Sequence, residues 1–425
     1  MQRSSVNHIF LPVLLFVFYL ALLIYYFHNV KIPKNTDESS PGESTLFLSI
    51  KDEEKPRTED PMQLAMFREE ASRFVSSMDD SRLAAQCLLA GLEYNAHFSD
   101  HMKSLLQEIP AGGIIFFRYN LTGNKDEIRS LLRDVSNFIY AVSGIPPFMA
   151  VDHEGGLVHR FGSEIKRLPA PESFWEMAKI DGEAKTLEIV ETLARQSGEE
   201  LWDLGINMNL APVAEVLSPE NQAFLESRSF GPDPVFTENA AIAFIRGMEA
   251  AGIICVAKHF PGNGSEDPHK RSVMISADLP ALDLMIQPFK SIIRELHAPA
   301  MMVSHTVVPA IDPHRNASLS PALVSGWLRE ELGFSGIIVA DDFNMSAVVS
   351  RGISPEEAAV QALNAGVDMV MCWPHNMESI HHAILAAIEN GSLPRQRLEE
   401  AAERIIAERL RLEKIRADKS NNDNE

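Results

Sequence analysis

The stretch IICVAKHFPGNGSEDPHKRS, Ile253 to Ser272, opens on an apolar run and from Lys258 onward packs two prolines, two glycines, two histidines and two acids together. IICVAKH reads as a buried strand. The segment after it can be neither a regular helix nor a regular strand, because proline removes an amide donor and glycine weakens either element. An apolar strand that opens at its C-terminal end into a polar, tightly bent loop is the arrangement found on the rim of an α/β barrel.

Working outward from this stretch, seven further apolar runs repeat it. They are CLLAGLE from Cys87, GGIIFF from Gly112, PFMAVD from Pro147, INMNLAPV from Ile206, AMMVSH from Ala300, GIIVADD from Gly336 and VDMVMCW from Val367. With IICVAKH they make eight candidate strands, the barrel number. Between them lie amphipathic stretches such as DEIRSLLRDVSNFIYAV and AKTLEIVETLARQSGEELWDLG, apolar at every third and fourth position and closed by glycine; this alternation predicts a parallel sheet with helical crossovers. The expected fold is therefore a (β/α)8 barrel of the TIM type.

The strand ends carry the chemistry. They read Asp152-His153-Glu154, Lys258-His259, Ser304-His305 and Asp341-Asp342, and in a barrel all of these face one rim. A single histidine after a strand is an ordinary loop residue; four strands ending in this way point to a site.

The rest of the chain bounds what the site can be. A barrel takes about 250 residues, and the 425 available leave room for accessories. The formal charge of −21 argues against a nucleic-acid partner, whose phosphates require a basic face. Cys87, Cys255 and Cys372 lie far apart in apolar runs, which excludes a disulfide framework or a CxxC metal site and makes them core residues.

Residues 1–34 read as a membrane anchor or signal segment. Ile9 to Phe27 carries no charge and spans nearly 30 Å as a helix at about 1.5 Å per residue. No small-residue cleavage site or lipobox cysteine comes after it, so an uncleaved anchor with the bulk of the chain outside the cytoplasm is expected, and secretion if it is cleaved. Residues 35–61 read as a polar tether, 62–415 as the barrel domain and 416–425 as a disordered tail.

Four strings resemble glycoside hydrolase family 3, in particular its single-barrel β-N-acetylhexosaminidases. VDHEGGLVHRF (151–161) is similar to the family's VDQEGGxVxRF, ESRSFGPDP (226–234) to xxRSFGxDP, KHFPGNG (258–264) to KHFPGHG, and LREELGFSGIIVADDFNM (328–345) to LRxELGFxGvvvTDxLxM. The resemblance runs from about Leu83 to Leu410. It implies the single-barrel subtype, since the family's second α/β domain needs far more chain than remains after the eighth strand.

By this resemblance Asp341 is the nucleophile, forming a glycosyl ester with retention of configuration, and Asp342 occupies a variable position. The acid/base is His269 paired with Asp267, in the pattern D-x-H after FPGxG. Pro268 disfavours a helical Asp267, and in an extended segment residues i and i+2 face the same side. The loop departs from the family in having two fewer residues before D-x-H, with Asn263 in place of His and Pro268 in place of Ser. Asp152, Arg160, Arg228, Lys258 and His259 are implied to hold the sugar and its N-acetyl group, with Arg118 as a rim contact.

The implied reaction is exo-hydrolysis of a terminal β-linked N-acetylglucosamine from saccharides such as peptidoglycan fragments, with no metal or organic cofactor. Three other readings stand beside it: a metal-dependent barrel hydrolase using His153, His259, His269 and His305; a β-glucosidase or β-xylosidase on the same barrel; and an anchored saccharide-binding barrel that has lost catalysis.

Overall fold

The computed structural model describes residues 61–296 and 300–422. The expected anchor (1–34) and the tether up to residue 60 lie outside the described residues. Among the described residues no helix is long and apolar enough to cross a membrane.

Each of the eight apolar runs contributes a strand: β1 Leu88–Gly91, β2 Gly113–Phe116, β3 Phe148–Val151, β4 Met208–Asn209, β5 Ile254–Phe260, β6 Ala300–Val303, β7 Ile337–Ala340 and β8 Val370–Cys372. All pairings are parallel, in the order β8-β1-β2-β3-β4-β5-β6-β7. The two end strands meet through a bridge between Val339 and Met369, where the Ala340 amide donates to the Met369 carbonyl at 2.9 Å, so the sheet is a nearly closed barrel.

Side chains alternate across each strand. Leu89, Ile115, Phe148, Ala150, Met208, Ile254, Val256, Met302 and Val339 fill the interior, while Leu88, Ala90, Ile114, Phe116, Met149 and Val151 pack outward into a second buried cluster. With both faces covered, the strands need unbroken apolar runs, which is why they read as such in the sequence. β4 is much shorter than its eight-residue run, because Pro212 has no amide to donate and pairing beyond it continues only as an isolated Val213–Lys258 bridge.

The crossover helices begin and end where the sequence places their caps. Lys125–Ser143 starts at a capping box of Asn124 with Glu127 and stops at left-handed Gly144. Glu183–Leu204 stops at Gly205 in the same way.

The C-terminal helix, Arg395–Asn422, closes the barrel end opposite the rim. Ile405 and Leu412 reach the interior cluster. Arg409, almost fully buried, donates to the carbonyls of Gly112 and Pro146 at 3.3 and 3.2 Å, just before β2 and β3, and to the Gln86 side chain. Beside it the buried Asp368 receives Arg397 at 2.6 Å, Arg404 at 3.2 Å and Arg329. The segment from Arg416, expected to be disordered, instead continues this helix to Asn422. Good helix formers and an i,i+4 pair, Lys414 to Asp418 at 2.8 Å, sustain helix where no core is needed. Cys87, Cys255 and Cys372 are buried and unpaired, as expected of core residues.

Candidate active site

The rim is organised around Lys258. β5 shifts register against β6 between Ala257 and Phe260, and this irregularity lets two successive side chains, Lys258 and His259, serve the same site. The Lys258 ammonium lies 2.8 Å from Asp152 Oδ1 and 2.7 Å from Glu154 Oε1, both from the turn after β3. Arg160 bonds the other Asp152 oxygen at 2.9 Å. Arg228 grips Glu154 with Nε and Nη2, each at 2.8 Å, in a fork.

Three cations thus surround two carboxylates, Glu154 buried and Asp152 partly exposed to the pocket. Burial pushes the Asp152 carboxyl up, but Lys258 and Arg160 more than offset it and hold the group well below the usual carboxylate range. In Glu154 the same contest between burial and the charges of Lys258 and Arg228 leaves a pKa of about 2. Each Asp152 oxygen carries one cation and keeps a lone pair, which suits a ligand hydroxyl. Arg228 spends two donors on Glu154, so its principal partner here is protein.

His259 is held by Glu215. Its Nδ1 lies 2.6 Å from Glu215 Oε1, while the same carboxylate accepts the Asn263 amide N–H at 2.6 Å and the Asn263 side chain at 3.0 Å. This one buried acid therefore orients the histidine and pins the start of the loop. The loop's far end is fixed by pairing of Val273 and Ile275 with Val307 at 2.8 and 2.9 Å. Sequence reasoning missed Glu215; the signal was an acid embedded in the apolar LAPVAEVL, since an unpaired Glu is almost never fully buried.

Between these anchors stand Asp267 and His269. Asp267 Oδ1 accepts the His269 amide at 2.9 Å and lies 3.1 Å from its ring Nδ1, so the two meet, but through a turn rather than the extended segment expected. The turn forms because the Lys270 amide returns to the Asp267 carbonyl at 2.9 Å. Burial would raise the Asp267 carboxyl, yet hydrogen bonds from His269 and Lys270 bring it below its ordinary value. The His269 side chain is 64% exposed. Its ring faces Phe224, which also faces His259. The Pro268 carbonyl accepts the Ala347 amide at 2.9 Å, which docks the loop on the segment after β7.

β7 ends in the two adjacent carboxylates. Asp342 Oδ1 accepts the Asn344 amide at 2.9 Å, the Asn344 side chain at 2.8 Å and the Trp373 indole N–H at 3.1 Å. Among the described residues the Asp341 carboxylate accepts only the Asp342 amide, at 2.9 Å. Burial raises the Asp341 carboxyl, but the neighbouring His259, His305 and Lys258 more than cancel this and keep it below its ordinary value, hence ionised at neutral pH. His305 is fixed between Ser318 at 2.8 Å and the Asp342 carbonyl at 3.1 Å.

The structure thus brings Asp152, Arg160, Lys258, His259 and Asp341 together on one rim, with Arg228 reaching it through Glu154 and the Asp267–His269 pair on the loop above. Arg118 donates to the His159 carbonyl at 3.0 Å and helps shape the turn after β3. His153 packs on His159 and Phe161, away from the partners of the other three histidines. Among the described residues no three His, Cys, Asp or Glu side chains are placed to share a metal ion.

Comparison with known proteins agrees with this arrangement. A family model described as the glycosyl hydrolase family 3 N terminal domain matches residues 75–407. A β-hexosaminidase of Stenotrophomonas maltophilia is 33% identical over 304 residues, covering 70% of this chain and 85% of the relative. One from Idiomarina loihiensis is 32% identical over 289 residues, with 67% and 81% covered. Among solved structures, a family 3 β-N-acetylglucosaminidase from Paenibacillus sp. superposes with a TM-score of 0.73 at 28% identity, covering 79% of this chain and 63% of that one. A β-N-acetylhexosaminidase from Beutenbergia cavernae gives 0.68 at 27% identity, covering 78% and 99%. The chain belongs to glycoside hydrolase family 3.

Proposed function

We propose that the protein is a retaining exo-β-N-acetylglucosaminidase. The observation that carries this reading is the 3.1 Å contact of His269 with Asp267, on a loop docked beside the nucleophile strand through Pro268 and Ala347. An imidazole there can act as acid and then as base, a role that the two-carboxylate scheme of most glycosidases gives to a second acid.

In this reading the terminal sugar sits among Asp152, Arg160, Lys258 and His259, with Asp341 beneath its anomeric carbon. Asp341 attacks C1 as the C1–O bond breaks, and His269 gives its proton to the departing oxygen. His269 then takes a proton from water, which attacks C1 and releases Asp341. Asp267 holds the imidazole through Nδ1, leaving Nε2 to exchange the proton. The names of the relatives favour N-acetylhexosamine over glucose or xylose. Peptidoglycan fragments as substrate, and tethering outside the cytoplasm through Ile9–Phe27, rest on the sequence alone.

The test is turnover of nitrophenyl N-acetyl-β-glucosaminide, β-glucoside and β-xyloside by the full chain. Rapid hydrolysis of the first alone is expected. Preference for either other sugar moves the assignment within the family, and turnover of none supports a saccharide-binding barrel.

A further inference from the structure

β8, β1 and β2 are neighbours in the barrel, and the ends of these strands carry four aromatic residues: Trp373, Tyr94, Phe117 and Tyr119. Their rings form a continuous row. Trp373 and Phe117 have centroids 5.1 Å apart, Phe117 and Tyr119 stack at 5.7 Å with 15° between planes, and Tyr119 meets Tyr94 at 4.6 Å. The row is open to water: Tyr94 is 80% exposed, and the other three rings are only partly covered. Contiguous exposed aromatic surface of this kind marks a contact site.

Two neighbouring rings of the row, Trp373 and Phe117, are fastened to the site already described. Trp373 donates its indole N–H to Asp342 at 3.1 Å, next to Asp341. Arg160, which bonds Asp152, lies 5.6 Å over the Phe117 ring. The backbone is shaped to present the rings. Gly91 in β1 leaves room for Trp373 to lie across the strand end, since a Cβ there would come within 2.5 Å of the indole. Asn120 accepts the Phe117 amide at 3.0 Å and donates to the carbonyls of Glu93 and Asn95 at 2.8 and 2.7 Å, which binds the loops after β1 and β2 into one platform.

We propose that this row is the aglycone subsite, holding the pyranose ring on the far side of the scissile bond with its C–H face against Phe117, Tyr119 and Trp373. The proposal rests on the exo-glycosidase reading above. If the terminal sugar fills the pocket among Asp152, Lys258 and Asp341, everything beyond the scissile oxygen must leave across the rim, and this aromatic row borders that exit. Aromatic faces suit a pyranose because its axial C–H bonds form apolar patches while its hydroxyls point outward round the edge. Burial beside Tyr94 pushes the Tyr119 phenol up to about 12, so it stays an uncharged hydrogen-bonding group across the neutral range.

The test compares two substrates on the full chain and on a Tyr94→Ala/Tyr119→Ala double variant, neither residue belonging to the catalytic machinery. One substrate is a β-1,4-linked N-acetylglucosamine disaccharide, whose aglycone is a sugar; the other is β-N-acetylglucosaminyl fluoride, whose aglycone is a single atom. We expect kcat/KM for the disaccharide to fall about tenfold and that for the fluoride to stay within about twofold, with a Tyr94→Phe/Tyr119→Phe variant retaining disaccharide turnover. Equal losses on both substrates, or no loss on the disaccharide, overturn the subsite. A wild type that cleaves the fluoride and not the disaccharide overturns the subsite while leaving the reaction in place, and one that cleaves neither overturns both.

Discussion

Asp342 accepts the Trp373 indole N–H at 3.1 Å and two donors from Asn344, whereas Asp341, one residue earlier, accepts only a backbone amide among the described residues. Successive side chains at a strand end diverge, and here one carboxylate is committed to protein while the other is left for a ligand. Asp341→Asn should therefore lower kcat by roughly 10⁴-fold or more with the fold intact, whereas Asp342→Asn should cost about tenfold or less by loosening Trp373. Trapping with a fluorinated N-acetylglucosaminide inactivator, followed by digestion and mass spectrometry, should place the label on Asp341; a label on Asp342 reverses the roles.

The Asp267–His269 contact predicts a dependence on leaving group. His269→Ala should slow hydrolysis of glycosides with alkoxide leaving groups by about 10²-fold or more, and much less for nitrophenolate, which departs without a proton. Steady-state rates over a series of aglycones give the slope. A variant that loses the same factor throughout the series would mean that His269 only shapes the loop.

The strands are legible in the sequence because parallel strands buried on both faces leave continuous apolar runs, and the rim because polar residues interrupt those runs at their C-terminal ends. Residues such as Asp152, Lys258 and Asp341 can be placed by strand position alone. Glu215 cannot, since its role depends on His259 and Asn263, more than forty residues away, reaching one carboxylate. The turn at Asp267 escapes a sequence reading because Pro268 limits the residue before it but does not decide where the following amides bond. The helix beyond Arg416 escapes it because a run of charge resembles disorder, although charges spaced four apart sustain a helix. Trp373 ends an apolar run like any core aromatic, and only the folded barrel sets it beside Asp342.

At the end of the barrel opposite the rim, Asp368 is fully buried among Arg329, Arg397 and Arg404 and also accepts the Ile338 amide at 2.9 Å. Removing one member of such a cluster leaves uncompensated charge, so Asp368→Ala should cost about 3–5 kcal/mol of stability in urea unfolding while the folded fraction keeps its KM. Burial raises the Asp368 carboxyl but the three arginines more than offset this, so its folded pKa lies below the unfolded one. Its contribution is present above the ordinary carboxylate range and is lost as pH falls through the folded value. A variant with normal stability and a raised KM would place Asp368 in the function of the rim instead.

His153 offers a pH test with the opposite origin. Its ring is fully buried between His159 and Phe161, at 5.2 and 5.7 Å, and neither ring nitrogen has a hydrogen-bond partner among the described residues. Burial first, and the neighbouring His159 second, lower its pKa from 6.5 to about 3. The unfolded chain therefore takes up a proton near pH 6.5 that the folded chain refuses until near pH 3, and stability must fall as the pH drops between these values. At about 1.36 kcal/mol per unit the loss reaches about 2 kcal/mol near pH 5. The strand end itself does not depend on the ring, because the His153 amide donates to Asn209 Oδ1 at 2.9 Å and its carbonyl accepts Asn209 Nδ2 at 3.0 Å. His153→Gln places the residue that family 3 carries in its VDQEGG string, keeps a polar side chain and removes the titration. Urea unfolding near pH 7.5, 6 and 5 should show the wild type losing about 2 kcal/mol more than the variant across that range. Parallel curves for the two proteins would mean that the His153 ring reaches water or a partner in the folded state and accepts its proton there.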